Sequence, residues 1–469
     1  MNFLDLVQKN GLTDLLLTGK FGLEKENLRT DIQGNLALTP HPKVFGDKST
    51  NPYITTDFAE AQLEMITPEL DSTAEAFDFM NSLHNLISLK LDNEYLWPYS
   101  LPPVLPANDD LIKAAQFNQP EIAEYRQYLC KKYGKRKQLL SGIHYNFSFS
   151  SELIHALYNV TDKNISYREF NDKMYLKVAR EYLKYCWLII YLFGANSVAH
   201  ASYLGCCNRS MEKITNDTYD FHGSSSFRNG VSGYRNLNHF YVSYNSLAEY
   251  IQDINNAINK GEIIAAKEYY SQVRLKGHSK SHILDDLAKG GVNYIEIRTL
   301  DLNPLTKLGI TLEQMDFMHL MLIYCLLAPD FYMSNDDYKL ANFNQLLAAD
   351  ANRDQDIMLH CASGCQKSLR LWGTGVLQHM HSLFASLGIH ADKLLLIQRF
   401  KEQLCHNSPS IASTIMDGVK NEGYAKFFMN KSFEYLAQTK DEQLHLAQQG
   451  DNLRMSGYTQ QIFKSLPKQ

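Results

Sequence analysis

No apolar run in this chain of 469 residues reaches the roughly 20 residues that a membrane span requires. The two longest, Tyr185 to Ala195 and Met321 to Ala328, read instead as core helices. Excess positive charge is also missing. The formal net charge is −5, which removes the electrostatic argument for nucleic acid or an anionic membrane surface. Neither a basic patch nor an amphipathic basic helix stands out. The N-terminus, MNFLDLVQKNGLTDLLL, lacks a positive segment followed by an unbroken apolar stretch and a small-residue cleavage site. No secretory signal is therefore expected. Eight cysteines without a dense framework point to the reducing cytoplasm and to structural thiols. Cys361-x-x-x-Cys365 and Cys206-Cys207 do not have the paired spacing of a zinc site.

Common catalytic signatures are missing too. There is no GxxxxGK followed by Ser or Thr, no HExxH and no GxSxG. Gly373-Thr374-Gly375 lacks the third glycine and the strand–helix context of a dinucleotide loop. No internal repeat, low-complexity tract or linker divides the chain, so one unit over residues 1–469 is expected.

What is present is an ordinary globular composition, 45% hydrophobic and 21% charged, enough for a sizeable core. Helical periodicity runs near 72–93, 168–193, 245–260, 311–328, 376–405 and 432–447, and the part beyond about 330 is mainly helical. Short alternating segments at 22–30, 63–67, 142–148 and 292–300 read as strands. LWPYSLPPVLPAND, Leu96 to Asp109, holds four prolines and must be an extended excursion. Strands dispersed among helices without a βαβ rhythm predict an α+β fold.

Period two sorts the polar residues of these strands. Glu24 and Glu26 share a face. So do His144, Asn146 and Ser148, and so do Tyr294, Glu296 and Arg298. Glu64 lies on a polar face with Asp57 just upstream. Singly, each is compatible with a half-buried strand whose polar side meets water. Together, acids dominate. If the strands join one sheet, that face gathers carboxylates and one imidazole, and they repel one another unless cations bind. Such a donor set suits Mg²⁺ or Mn²⁺ better than zinc. Several carboxylates around more than one Mg²⁺ can hold a nucleoside triphosphate without a P-loop. Glu60, in DFAEAQ, reads as structural.

GLEKENLR, TTDFAEAQLEMITP, SGIHYNFS, YLFGAN and GVNYIEIRTLDLNP, in that order from residue 22 to residue 304, resemble the successive motifs of the bacterial glutamate–cysteine ligase family. Residues 205–285 match more loosely. The resemblance implies a glutamine-synthetase-like carboxylate–amine ligase fold, a curved antiparallel sheet forming a funnel with helices outside. It implies ATP as co-substrate, Mg²⁺, L-glutamate and L-cysteine, and γ-glutamylcysteine as product through a γ-glutamyl phosphate, the first step of glutathione synthesis. Glu24, Glu26, Asp57, Glu64, His144 and Glu296 match the family's metal-binding positions. Arg298 matches an arginine facing phosphoryl transfer. Arg228, Tyr234, Tyr270, Arg274, Tyr125 and Arg126 match residues lining the substrates. The chain ends at Gln469, so the resemblance is to the stand-alone form rather than to a fusion with an ATP-grasp domain. His144 is also compatible with a core histidine, Arg298 with a plain pair to Glu296, and the tyrosines with packing. A ligase for another amine, or an inert scaffold on the same fold, would share these motifs.

Overall fold

The structure, a computed structural model, describes residues 2–161, 164–206, 211–279, 281–405, 409–448 and 457–467. Cys207 lies outside the described residues. In chain order the strands are β1 (Gly19–Thr30), β2 (Ile54–Thr56), β3 (Gln62–Ile66), β4 (Tyr95–Leu96) and β5 (Ile143–Phe149). Then come β6 (Val198–His200), β7 (Glu212–Lys213), β8 (Thr218–Asp220), β9 (Val273–Lys276), β10 (Tyr294–Leu300), β11 (Met358–His360) and β12 (Gln366–Ser368).

One seven-stranded sheet runs in the order β2-β3-β1-β5-β10-β9, with β4 paired to β1 as well. All its pairings are antiparallel. The sheet is curved and remains open at its edges. The expected α+β class is the one observed.

Alternation decides which face is covered. In β5 the side chains of Ile143, Tyr145, Phe147 and Phe149 are fully buried, and in β10 so are Ile295 and Ile297. They join Leu23, Leu63 and Met65 in one apolar cluster with the helices that cover this face. At its centre is the 27-residue helix Tyr167–Phe193, capped where the Ser166 side chain accepts the Glu169 N–H. Leu312–Leu327 is buried nearly all round and starts with a capping box between Thr311 and Gln314. Among the described residues, no helix is long and apolar enough to cross a membrane.

The segment expected as one helix over 376–405 is two, Leu369–Ser386 and Ala391–Cys405. Gly388 separates them at φ 74°, a left-handed turn that glycine adopts without strain. The expectation that the cysteines are buried structural thiols holds for Cys186 and Cys325 but not for Cys365 and Cys405, which are exposed. The proline-rich excursion forms only the short β4. Its Trp97, Tyr99 and Leu101 anchor a second apolar cluster.

Leu183 is 1% exposed in the central helix. Leu183→Ala is expected to lower stability by about 2–5 kcal/mol, read from urea unfolding. Lys131→Ala, on an exposed helix position, is expected to stay within about 0.5 kcal/mol.

Candidate active site

The polar face of the sheet begins with β1. Glu24 and Glu26 point to it, while Lys25 between them points to the helix-covered side. Its Nζ lies 3.1 Å from His84 Nδ1. Burial, then the nearby Lys307, pushes Lys25 down to about 7. Lys25 therefore does not neutralise its two neighbours.

Register brings the other acids alongside. Glu24 stands opposite His144, Glu26 opposite Glu64, and Glu296 opposite Asn146 and Arg274. His144 Nδ1 lies 3.1 Å from Glu24 Oε2 and 3.8 Å from Glu296 Oε1. Its Nε2 lies 3.8 Å from Glu26 Oε1. This nitrogen is buried without a hydrogen-bond partner. Asn146 donates to Glu24 Oε1 at 3.2 Å, and Gly142 N–H donates to Glu26 Oε2 at 2.9 Å. One ligand atom each from Glu24, His144 and Glu296 fall within 4.8 Å of one another. An imidazole with three carboxylates within 4 Å of its two nitrogens, one nitrogen orphaned, is a donor set that a hard divalent cation fits. Of the six expected ligands, the structure gathers Glu24, His144 and Glu296 most tightly. Glu26 stands beside them and Glu64 beside Glu26. Asp57 reaches the group through its charge on Glu26.

The charges are unequal. Burial works against Glu24, but the His144 hydrogen bond leads the effects that hold it down to about 2. Burial likewise opposes the Glu296 charge, yet Lys276 and then Arg298 keep it well below the usual carboxylate range. Lys276 Nζ is 3.0 Å from Glu296 Oε1, and Arg298 Nη1 is 3.0 Å from Oε2. Among the described residues Glu26 has no lysine or arginine at ion-pair distance, and Arg228 and Arg298 reach it only through their charge. Burial, then the Asp57 charge, pushes it up to about 8. Burial lowers the His144 pKa, which keeps the imidazole neutral and able to ligate.

The arginines are fixed by backbone carbonyls. Arg228 donates to Arg298 O at 2.7 Å and packs on bare Gly142, where an added Cβ would come within 2.3 Å of its guanidinium. Arg126 donates through Nε to Asp57 O at 2.9 Å and lies over the Phe117 ring. Arg274 donates to Tyr269 O and Lys267 O at 2.7 and 2.8 Å, with Nη1 3.9 Å from Glu296. Most of its fork holds the chain leading into β9. Tyr234 and Tyr270 pack ring on ring, centroids 4.3 Å apart. Lys267 sits 3.7 Å over the Tyr125 ring. Tyr270 Oη is buried without a partner at bonding distance. Glu60 accepts from Lys48, His41 N and Gln116 N, a closed structural set. Lys276 was missed by sequence reasoning, although alternation along Val273–Lys276 sets it on the same face as Arg274.

Further along the same face, Lys20 pairs with Ser148 in register, two steps beyond the Glu24–His144 pair. A cleft of about 780 Å³ opens there, lined by Lys20, Ser148, Arg168, His278 and Asn293 among others.

A curved antiparallel sheet with helices on one face and a carboxylate–imidazole–arginine cluster on the other defines a carboxylate–amine ligase fold. The chain matches the family described as glutamate-cysteine ligase over residues 4–347 and belongs to it. The bifunctional glutathione biosynthesis protein GshAB of Clostridium perfringens is 38% identical over 446 residues, 94% of this chain and 57% of that protein. This chain thus spans little more than half the length of that curated relative. A glutamate–cysteine ligase of Clostridium acetobutylicum is 37% identical over 74% of this chain and 80% of its own. The crystal structure of glutamate–cysteine ligase from Francisella tularensis, in complex with AMP, superposes with a TM-score of 0.82 at 25% identity, covering 96% of this chain and 98% of that one.

Gly142→Ala is expected to cost about 1–3 kcal/mol through its clash with Arg228. In an Arg228→Ala background most of that cost should vanish, because the two sites are coupled; a double-mutant cycle by urea unfolding reads it. Glu26 also makes a pH prediction for metal-free protein. Between its ordinary 4.5 and about 8, the folded chain keeps a proton that the unfolded chain has released. Stability therefore falls as pH rises through that window. Unfolding midpoints in chelator should show this slope in wild type, a flatter one in Glu26→Gln, and its reversal in wild type on adding Mg²⁺.

Proposed function

We propose that the chain joins the γ-carboxylate of L-glutamate to the amine of L-cysteine at the expense of ATP, through a γ-glutamyl phosphate, as the first step of glutathione synthesis. The observation that carries this reading is the buried Glu24–His144–Glu296 cluster on a sheet face flanked by Arg228 and Arg298. Family membership and the names of the relatives support it.

A γ-carboxylate is a poor acyl donor because oxide would have to leave. Transfer of the ATP γ-phosphoryl group to it creates a leaving group, and that transfer needs charge neutralised and oxygens in line. Mg²⁺, or Mn²⁺, would be held by Glu24, Glu26, Asp57, Glu64, His144 and Glu296, and when bound supplies Lewis-acid neutralisation of the triphosphate. The Lys20–Ser148 cleft suits the nucleotide, since it continues the same face. Arg298, held by Glu296, offers a planar fork of donors to the moving phosphoryl oxygens. Arg228 and Arg126 enter already oriented by carbonyls, so little ordering remains when substrate carboxylates bind. Tyr125, Tyr234 and Tyr270 wall the acceptor side. Burial first, then the Asp57 charge, pushes Tyr234 up to about 12, so its hydroxyl stays protonated and can donate to a carboxylate. The same rings exclude water, which would hydrolyse the acyl phosphate. The cysteine amine then attacks the acyl carbon, the new C–N bond forms and phosphate leaves.

Phosphate release from ATP and Mg²⁺ with L-glutamate, with and without L-cysteine, tests this, with products read by mass. Cysteine-dependent release with a γ-glutamylcysteine mass is the expected outcome. Release that requires another amine moves the acceptor, and no release with any amine overturns the reading. Glu296→Gln is expected to abolish ligation in folded protein. Arg298→Lys should lower kcat by about 100-fold, because an ammonium cannot reproduce the fork.

A further inference from the structure

Beyond residues 4–347 of the family match, the hairpin β11–β12 carries a second set of reactive groups. Its register pairs Met358 with Ser368, Leu359 with Lys367 and His360 with Gln366. Cys361 and Cys365 form the next pair, the Cys361 N–H donating to Cys365 O at 2.8 Å. Gly364, at φ 84°, closes the turn by donating to Cys361 O at 2.9 Å. Residues opposed across an antiparallel pair hold their Cα atoms about 4.5–5.5 Å apart. That lies inside the roughly 4.4–6.8 Å that a disulfide spans, and opposed side chains share one face.

The two cysteines flank the turn, joined through the backbone. Both thiols are free, Cys365 exposed and Cys361 half-buried. Asn344 clasps the His360 backbone, donating to its carbonyl and accepting its N–H, each at 2.9 Å. The Phe343 ring meets the His360 ring edge-on at 5.0 Å.

The pair is polarised. Ser363 Oγ donates to the Cys365 sulfur at 3.4 Å. The neighbouring Cys361 first, then Ser363, holds the Cys365 thiol below its ordinary value, while the Cys361 thiol is raised. Cys365 thus has the character of the attacking thiolate and Cys361 that of the resolving thiol. The other described cysteines lack this arrangement. Cys186 and Cys325 are buried, Cys130 is half-buried, and exposed Cys405 has Thr374 Oγ1 3.6 Å from its sulfur.

We propose that Cys361 and Cys365 are a site of reversible thiol–disulfide exchange with low-molecular-weight disulfides such as cystine. The Cys365 thiolate attacks one sulfur of the disulfide, that S–S bond breaks, and one thiol leaves with a proton from solvent. Cys361 then attacks the Cys365 sulfur of the mixed disulfide, and the second thiol leaves carrying the Cys361 proton. The protein loses two electrons and two protons, and one small disulfide becomes two thiols. The exchange goes beyond the ligase reading and needs none of its steps.

The test uses the full chain, reduced, freed of reductant and incubated without oxygen with cystine. Remaining thiols are alkylated under denaturing conditions and peptides are read by mass. The expected result is a peptide spanning Cys361 and Cys365 that lacks two hydrogens and carries no alkyl group, with Cys186 and Cys325 alkylated. In Cys361→Ser, Cys365 should stop as a mixed disulfide with cysteine. In Cys365→Ser, Cys361 should react about tenfold more slowly than Cys365 does in wild type. Full alkylation of both hairpin cysteines, or reaction of Cys365 no faster than Cys405, overturns the proposal. Neither result depends on ligase turnover, so failure here and failure of the proposed function are separate observations.

Discussion

Burying several carboxylates on one sheet face is the constraint on which the rest of the structure turns. Like charges a few ångströms apart in a poorly solvated place raise one another's proton affinity. The protein answers unevenly. On the β10 side, Glu296 is surrounded by Lys276, Arg298 and Arg274. On the β1 side, Glu26 has a single backbone donor, Gly142, and no adjacent ammonium. The imidazole of His144 sits between, with one nitrogen left over. The result is a face that is ion-paired at its β10 end, while at the other end Arg228 and Arg298 act on Glu26 through their charge and do not outweigh its burial.

The arginines around that face follow from the same constraint. A cation left to swing would collapse onto the nearest acid. Arg228 and Arg126 are instead anchored by main-chain carbonyls, and Arg274 by two of them. Glycine at 142 serves both sides of this arrangement. Its N–H caps Glu26, and its missing side chain leaves room for the Arg228 guanidinium. Tyr125, Tyr234 and Tyr270 group together near Arg274 and Arg298. Along β1 and β5 the register runs from the Glu24–His144 pair to the Lys20–Ser148 pair, where the cleft opens.

Much of this was legible in the chain. Alternation assigned Glu24, Glu26, His144, Glu296 and Arg298 to polar faces, because a strand cannot turn one such residue without turning its whole set. The long helices were readable from their apolar periodicity. Other features were not. The break at Gly388 within an otherwise continuous helical pattern depends on a left-handed turn that a single glycine permits but does not require. Lys276 carries no signal of its own in the sequence, and only the pairing of β9 with β10 sets it beside Glu296. The cysteines looked alike in sequence. Only the hairpin separates the buried pair, Cys186 and Cys325, from the facing pair, Cys361 and Cys365.

The sequence by itself determined which side chains share a face, since period two and period 3.6 are properties of the local backbone. It also determined that this face would be acidic, and that Lys25 would turn away from Glu24 and Glu26. Only the tertiary structure decided which strands are neighbours. The order β3-β1-β5-β10-β9 carries Glu64, Glu26, Glu24, His144 and Glu296 to one place from four separate stretches of chain. Pairing order is set by how the buried faces of the strands pack on the helices beneath them. That packing is a sum over many distant contacts, and no local window of residues contains it.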